Sequence, residues 1–323
     1  MQASKIQWTE LTWNPVRGCS RVSKGCEHCY AEQLGGRGVE TCFKGFVRRH
    51  GKGFRWTGKV ALMVHKLKEP MDRTRPGIIF VNSMSDLFHP DLPNEDIGLV
   101  WVVMGACLPR FRESLYRRRP GEHIFQVLTK RPARMANWIR EIWSSRAFRR
   151  ALQHRLQQHV PGFAEVSEGF LEALPDVLPN VHLGTSVEDQ ATANDRVPAL
   201  MLCPASLRFV SYEPALDVVD FGQWVFNHAE STVPQCLDLV IAGGESGPRA
   251  RPAQLEWFYR VADQARDAGI PFQMKQLGAV LARQLSCDDK KGGDPDEWPD
   301  SVQDRLTNGV PFRNVFARED DSV

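Results

Sequence analysis

"GIIFVNSMSDLFHP" (Gly77–Pro90) joins a short apolar run to a turn rich in hydroxyl and carboxylate groups. A run this short, apolar on both faces, suits a strand buried within a parallel sheet. The pattern recurs down the chain. "HIFQVL" (His123–Leu128) leads to "TKRP", "VHLG" (Val181–Gly184) to "TSVEDQ", and "LRFV" (Leu207–Val210) to "SYEP". "DLVIAGG" (Asp238–Gly244) leads to "ESGPR" and "IPFQM" (Ile270–Met274) to "KQLG". Two further candidates are the alternating "IQWTELTW" (Ile6–Trp13) and "VALMV" (Val60–Val64). Helical segments lie between many of these runs. In "PAQLEWFYRVADQARDAG", Pro252 suits a first helical position and Gly269 a C-terminal cap. Leu255, Phe258, Val261, Ala262 and Ala265 then share one apolar face.

Alternating strands and helices predict an α/β fold, a parallel (β/α) barrel, complete or partial and TIM-like, with an open sheet as the alternative. Residues 1–285 are assigned to it, interrupted by a basic helical insertion at 110–178. The charged, Gly- and Pro-rich residues 286–323 form a C-terminal extension. In a parallel barrel the strand ends share one rim, where active sites form. Lys130, Glu188, Glu213 and Lys275 are therefore candidates to orient a polar or anionic substrate, with Lys130, Glu213 and Lys275 assigned catalytic roles.

The 323 residues carry a net charge of +2, too little for the whole-chain balance to point to a partner. "MQASKIQWTE" shows no basic segment followed by an apolar core, and the longest apolar run, Gly98–Leu108, is too short for a bilayer, which needs about 20 residues. A cytoplasmic protein is expected. In that compartment clustered thiols indicate metal or redox chemistry.

Three of the eight cysteines, Cys19, Cys26 and Cys29, fall within "GCSRVSKGCEHCYAE" (Gly18–Glu32). Crowded thiolates repel one another unless a cation stabilises them, and a bound metal does so. Gly18 and Gly25 let the backbone turn closely there. Two metals remain open. Zinc would take a fourth ligand from Cys42 or His28. An iron–sulfur cluster held by three thiols would keep one iron accessible. Cys107 and Cys236, in apolar surroundings, read as buried small hydrophobes.

"WTELTWNPVRGCSRVSKGCEHCYAE", "FVNSMSDLFH", "VLTKRP", "LGTSVED", "RFVSYEPAL", "VIAGGESGPRARP", "MKQLG" and "KKGGDPDEWPD" together resemble a phage and bacterial family of three-Cys-motif proteins. That family in turn looks like radical S-adenosylmethionine enzymes. The resemblance implies a 4Fe–4S cluster on Cys19, Cys26 and Cys29, with S-adenosylmethionine on the fourth iron. It also implies reductive cleavage to a 5′-deoxyadenosyl radical, and hence an electron donor as partner. Tyr30 fits the aromatic that such proteins often place beside the last cysteine. The six-then-two spacing departs from the usual three-then-two. "GGE" lies on a late strand rather than after the second. The resemblance therefore assigns the cofactor to Ser85 and Asp86, with Gly243, Gly244 and Glu245 serving cofactor or substrate.

From Arg110 to Arg155, thirteen Lys and Arg face only Glu113, Glu122 and Glu141. Trp138, Trp143 and Phe148 interleave with the arginines on an expected helix, which reads as a nucleic-acid surface. The leading expectation is a radical-type iron–sulfur enzyme acting on a nucleic acid or a nucleotide-derived substrate. The alternatives are a zinc-stapled nucleic-acid-binding protein and an iron–sulfur scaffold or sensor. No membrane partner is expected.

Overall fold

The computed structural model describes every residue except 5, 39, 109–121, 161–168, 227–235 and 308–323. The chain is a mixed α/β protein whose main strands are mostly parallel. It divides into two compact units. Unit 1 holds residues 1–21, 29–183 and 202–206, and unit 2 holds 22–28, 184–201 and the chain from Leu207 onward.

Unit 1 contains β1 (Gln2–Ala3), β2 (Leu11–Trp13), β3 (Val16–Arg17), β4 (Val47–His50), β5 (Gly53–Trp56), β6 (Ala61–Leu62), β7 (Gly77–Val81), β8 (His123–Thr129) and the opening residues of β9 (Val181–Val187). Its main order is β1-β2-β7-β8. The β1–β2 pair is antiparallel, while β2–β7 and β7–β8 are parallel, with Leu11 beside Ile79 and Gly77 beside His123. Val60–Val64 is not a strand of this sheet. Only Ala61 and Leu62 pair there, antiparallel with Val16 and Arg17, as a small side ribbon.

The apolar run Gly98–Leu108 forms most of the Asn94–Ala106 helix, in which every residue from Ile97 to Ala106 is buried. A helix enclosed on all sides has no polar stripe, hence its lack of amphipathic pattern. Among the described residues no helix is long and apolar enough to cross a membrane. Trp101 packs edge-on to Trp138 with centroids 5.4 Å apart, and Trp138 stacks on Trp143 at 6.0 Å. The tryptophans of the basic segment are therefore core residues. Its expected single helix breaks at Ser144 and Ser145, where Ser145 caps the Arg146–His159 helix. Arg110, Arg112 and Arg117–Arg119 lie outside the described residues.

Unit 2 contains the rest of β9, then β10 (Leu207–Tyr212), β11 (Leu239–Gly243) and β12 (Phe272–Gln276). β10–β11 and β11–β12 are parallel. The helix expected from Pro252 begins at Leu255, after an extended Gln254, and buries Phe258, Val261, Ala262 and Ala265 as anticipated. The described part of the tail runs through Thr307. Its Asp300–Thr307 helix is held on the Leu255–Asp267 helix by an Arg305–Asp263 ion pair of 2.7 Å. Cys107 is buried as expected, whereas Cys236 is only partly so.

His182, near the start of β9, shows how burial shapes stability. Burial lowers its pKa from 6.5 to about 4. The unfolded chain therefore takes up a proton first as pH falls, so stability holds above pH 6.5 and drops down to about pH 4. Urea titrations should show about 3 kcal/mol lost across that window. His182→Gln should flatten the slope, and an unaltered slope would show that another group is responsible.

Candidate functional site

In unit 1 the first part of the thiol loop is fixed by its backbone. Gly18 has φ +91, and a Cβ there would lie 2.0 Å from the Lys59 carbonyl oxygen, so no other residue fits. Gly18 bridges Ser85, whose hydroxyl donates to the Val16 carbonyl at 2.9 Å. Asn82, also at positive φ, accepts the Val16 N–H at 3.2 Å. Cys19 and Cys29 pack against an apolar cluster of Ala31, Phe46, Val47 and Trp56. Tyr30 is exposed and donates its hydroxyl to the Ser83 carbonyl at 2.6 Å.

Beside Cys19 lies a polar network. Asp86 Oδ1 accepts from the Thr129 hydroxyl (2.7 Å) and the Phe88 N–H (2.9 Å). Its Oδ2 accepts from Arg131 Nη1 (2.7 Å) and the Lys130 N–H (3.3 Å). Four donors fill a carboxylate's usual acceptor positions. Asp86 thus holds Arg131 in place. Arg131 Nη2 in turn reaches the Ser20 hydroxyl at 2.9 Å. Burial disfavours the Arg131 charge, but Asp86 and then Cys19 outweigh that and raise its pKa. His89 Nδ1 accepts the Asp91 N–H at 3.2 Å, so Nε2 carries the proton and donates to Ser20 Oγ at 2.6 Å. Burial and then Arg131 lower the His89 pKa, which favours this neutral form. On the Tyr30–Arg37 helix, buried Glu32 takes a bidentate contact from Arg21 at 3.0 and 2.5 Å.

Cys26 belongs to unit 2, on a turn at Lys24–Cys26. The Val22 N–H points at Cys26 Sγ from 3.5 Å, and the Ser23 hydroxyl donates to Glu188 at 2.9 Å. A Cβ on Gly25 would sit 2.4 Å from the same Glu188 carboxylate. Fully buried Glu188 is paired with Arg196, whose Nη1 lies 3.1 Å from both oxygens. Glu245 receives Arg251 through its N–H (2.8 Å), Nε (2.9 Å) and Nη2 (2.6 Å), and His28 Nδ1 lies 3.1 Å away. Burial pushes the Glu245 pKa up, and the Arg251 and His28 contacts more than reverse it. Arg251 also reaches the Lys24 carbonyl and Glu27, tying this carboxylate to the Cys26 turn. Lys275 Nζ contacts both oxygens of Glu213 at 2.6 and 2.7 Å. Gly243 lies beside Glu213, and Gly244 exchanges hydrogen bonds with Gln276.

The profile of one family, described as protein of unknown function (DUF5131), matches residues 3–298 and so spans all of these side chains. The chain belongs to the DUF5131 family. No curated protein and no solved structure matches it.

In this DUF5131 chain, unit 1 gathers Ser85, Asp86 and the Lys130 backbone near Cys19. Unit 2 gathers Glu245 with the Cys26 turn, and Glu213 with Lys275. Cys19, Cys26 and Cys29 are half-buried and not in disulfides, which suits metal-binding thiols. Among the described residues, no three His, Cys, Asp or Glu side chains are already grouped as a metal-ligand set. The sequence reading missed Arg131, Arg196 and Arg251. "TKRP" and "ESGPRARP" contain two of them, and only Arg251, six residues after Glu245, lay close enough to its carboxylate in sequence to signal the pairing.

Proposed function

We propose that this protein is an iron–sulfur enzyme of the radical S-adenosylmethionine type, acting on a nucleic acid or a nucleotide-derived substrate. One observation carries the metal centre. Cys19, Cys26 and Cys29 fall within eleven residues, are half-buried and form no disulfide. Thiols so close together are a soft donor set that a bound metal stabilises in the thiolate form.

In donor chemistry Cys19, Cys26 and Cys29 fit an iron–sulfur cluster; binding of the metal and ordering of the loop are then coupled. Bound with S-adenosylmethionine, such a cluster supplies one-electron cleavage to a hydrogen-abstracting radical. The chain's own side chains position and exclude. Asp86 and Glu245 act by holding Arg131 and Arg251, which anchor Ser20 and the Lys24 carbonyl next to the ligating cysteines. The Ser85 hydroxyl fixes the strand that enters the loop, and the Gly243–Gly244 backbone shapes the rim beside Glu213. Glu213 and Lys275 present a matched pair to a polar substrate, and Lys130 adds a cation at the end of β8.

Anaerobic purification tests the reading. The expected product is brown, with about four iron and four sulfide per chain. Cys19→Ala, Cys26→Ala or Cys29→Ala should abolish cluster retention, and Cys42→Ala should leave it intact. With S-adenosylmethionine and a strong reductant, the loaded protein should release 5′-deoxyadenosine. A colourless, zinc-containing protein that also needs Cys42 would replace this reading with a structural four-ligand site.

A further inference from the structure

We infer that the β4–β5 hairpin of unit 1 is a docking surface for the phosphate backbone of a nucleic-acid duplex. The inference deepens the nucleic-acid half of the proposed function and does not depend on the metal centre.

From Arg37 to Lys59 the chain carries seven Lys and Arg against Glu40 alone, a local +6 in a chain of +2. The hairpin register places Arg48 directly opposite Arg55, and Arg49 opposite Phe54. Val47 and Trp56 are buried in the cluster against which Cys19 and Cys29 pack. Side chains alternate along a strand, so Arg48 and Arg55 project together from the other face. Like charges directly opposite are unfavourable in an antiparallel pair, and an anionic partner removes that conflict.

Among the described residues, Arg48, Arg49, Lys52 and Arg55 make no ion pair, whereas Arg21, Arg131, Arg155, Arg196 and Arg251 each face a carboxylate. The hairpin cations are thus left for something outside this chain. Arg49 lies 5.6 Å over the Phe54 ring and Lys59 lies 5.4 Å over Phe46, which holds their charges above the surface.

The chemistry selects one partner. No large apolar side chain is exposed between Val47 and Trp56, so the hairpin has nothing to insert into a bilayer. Single-stranded nucleic acids bind by stacking bases on open aromatic faces, and here Trp56 is buried and Phe54 lies under Arg49. A two-stranded ribbon with outward arginines instead fits a duplex, whose major groove admits such a ribbon between its phosphates. The Tyr30–Arg37 helix, which starts directly after Cys29, packs on both strands and fixes this surface to the thiol loop.

The test is fluorescence anisotropy of a short labelled DNA duplex with the full-length protein over a salt series, together with iron analysis of each preparation. The unaltered protein should bind more weakly as salt rises. Arg48→Glu with Arg55→Glu should weaken binding at low salt by tenfold or more and reduce the log–log salt slope by about two. Arg283→Glu, at an exposed position of the Ala279–Gln284 helix, should change neither. Arg48→Glu alone gains Arg55 as a cross-strand partner, so its melting temperature should hold or rise while binding falls, which separates loss of docking from unfolding. An unchanged slope in the double variant, tighter binding of single strands, or equal competition by phosphatidylserine vesicles would overturn the inference. Duplex binding through the hairpin by a zinc-loaded, iron-free protein would sink the enzyme reading and leave this one standing.

Discussion

Arg149→Leu is expected to lower the unfolding free energy by about 3–5 kcal/mol, since it leaves two or three buried carbonyls without donors at about 1–3 kcal/mol each. Arg149 is 3% exposed and sits on the Arg146–His159 helix. Its Nε donates to the Trp143 carbonyl and its Nη1 to the Leu174 carbonyl, each at 2.7 Å. Nη1 also reaches the Leu171 carbonyl, Nη2 binds Asp176, and the guanidinium lies 4.4 Å over the Trp143 ring. These carbonyls belong to helix ends, which lack intrahelical donors, and a cation there also meets the negative end of the helix dipole. Leucine would leave them buried without donors. Arg149→Lys should recover only part of the loss, because one ammonium cannot reproduce a planar fork reaching in three directions. Urea unfolding measures both variants, and a loss below about 1 kcal/mol would mean that water replaces the guanidinium without penalty.

Glu188→Ala should be nearly as damaging in unit 2. The side chains of Glu188 and Arg196 are 1% and 4% exposed, and the pair is further tied to the Ser186 carbonyl and the Ser23 hydroxyl. Removing the carboxylate strands a buried guanidinium, at about 3–5 kcal/mol. Replacing both partners with leucine should restore much of that stability, since an apolar pair carries no desolvation penalty. Denaturant melts of the two variants distinguish the cases. If the single and double variants are equally unstable, packing rather than charge sets the loss.

Most strands legible in the sequence were those covered on both faces by other strands and helices. Gly77–Val81 and Leu239–Gly243 read as uninterrupted apolar runs because both faces are covered. Ile6–Trp13 misled because its alternation has two causes. Trp8 packs on Phe80 at 4.8 Å, while the Thr9 hydroxyl bonds the Leu11 and Ile78 carbonyls, so only Leu11–Trp13 is strand. Pro252 looked like a helix start, yet Arg251 is drawn to Glu245 through its own N–H, and the chain stays extended to Gln254. At the site, residue types were readable and pairings were not. Nothing local in "NSMSD" tells that Asp86 meets Arg131, which lies 45 positions further along. A carboxylate at a strand end looks the same in a sequence whether it awaits a ligand or already grips an arginine.

The tail has a further consequence. β12 ends the strand order of unit 2, and a terminal strand offers unpaired amide and carbonyl groups to any passing chain. Just past its end, the Leu277 N–H donates to the Gly292 carbonyl at 2.9 Å and the Gly278 N–H to Lys291 at 2.8 Å. Buried Trp298 pins the same Gly292 carbonyl through its indole nitrogen. Residues 291–298 therefore cap the end of a sticky border, and proteolytic trimming there would bare the Leu277 and Gly278 amides as a template for copy-to-copy aggregation.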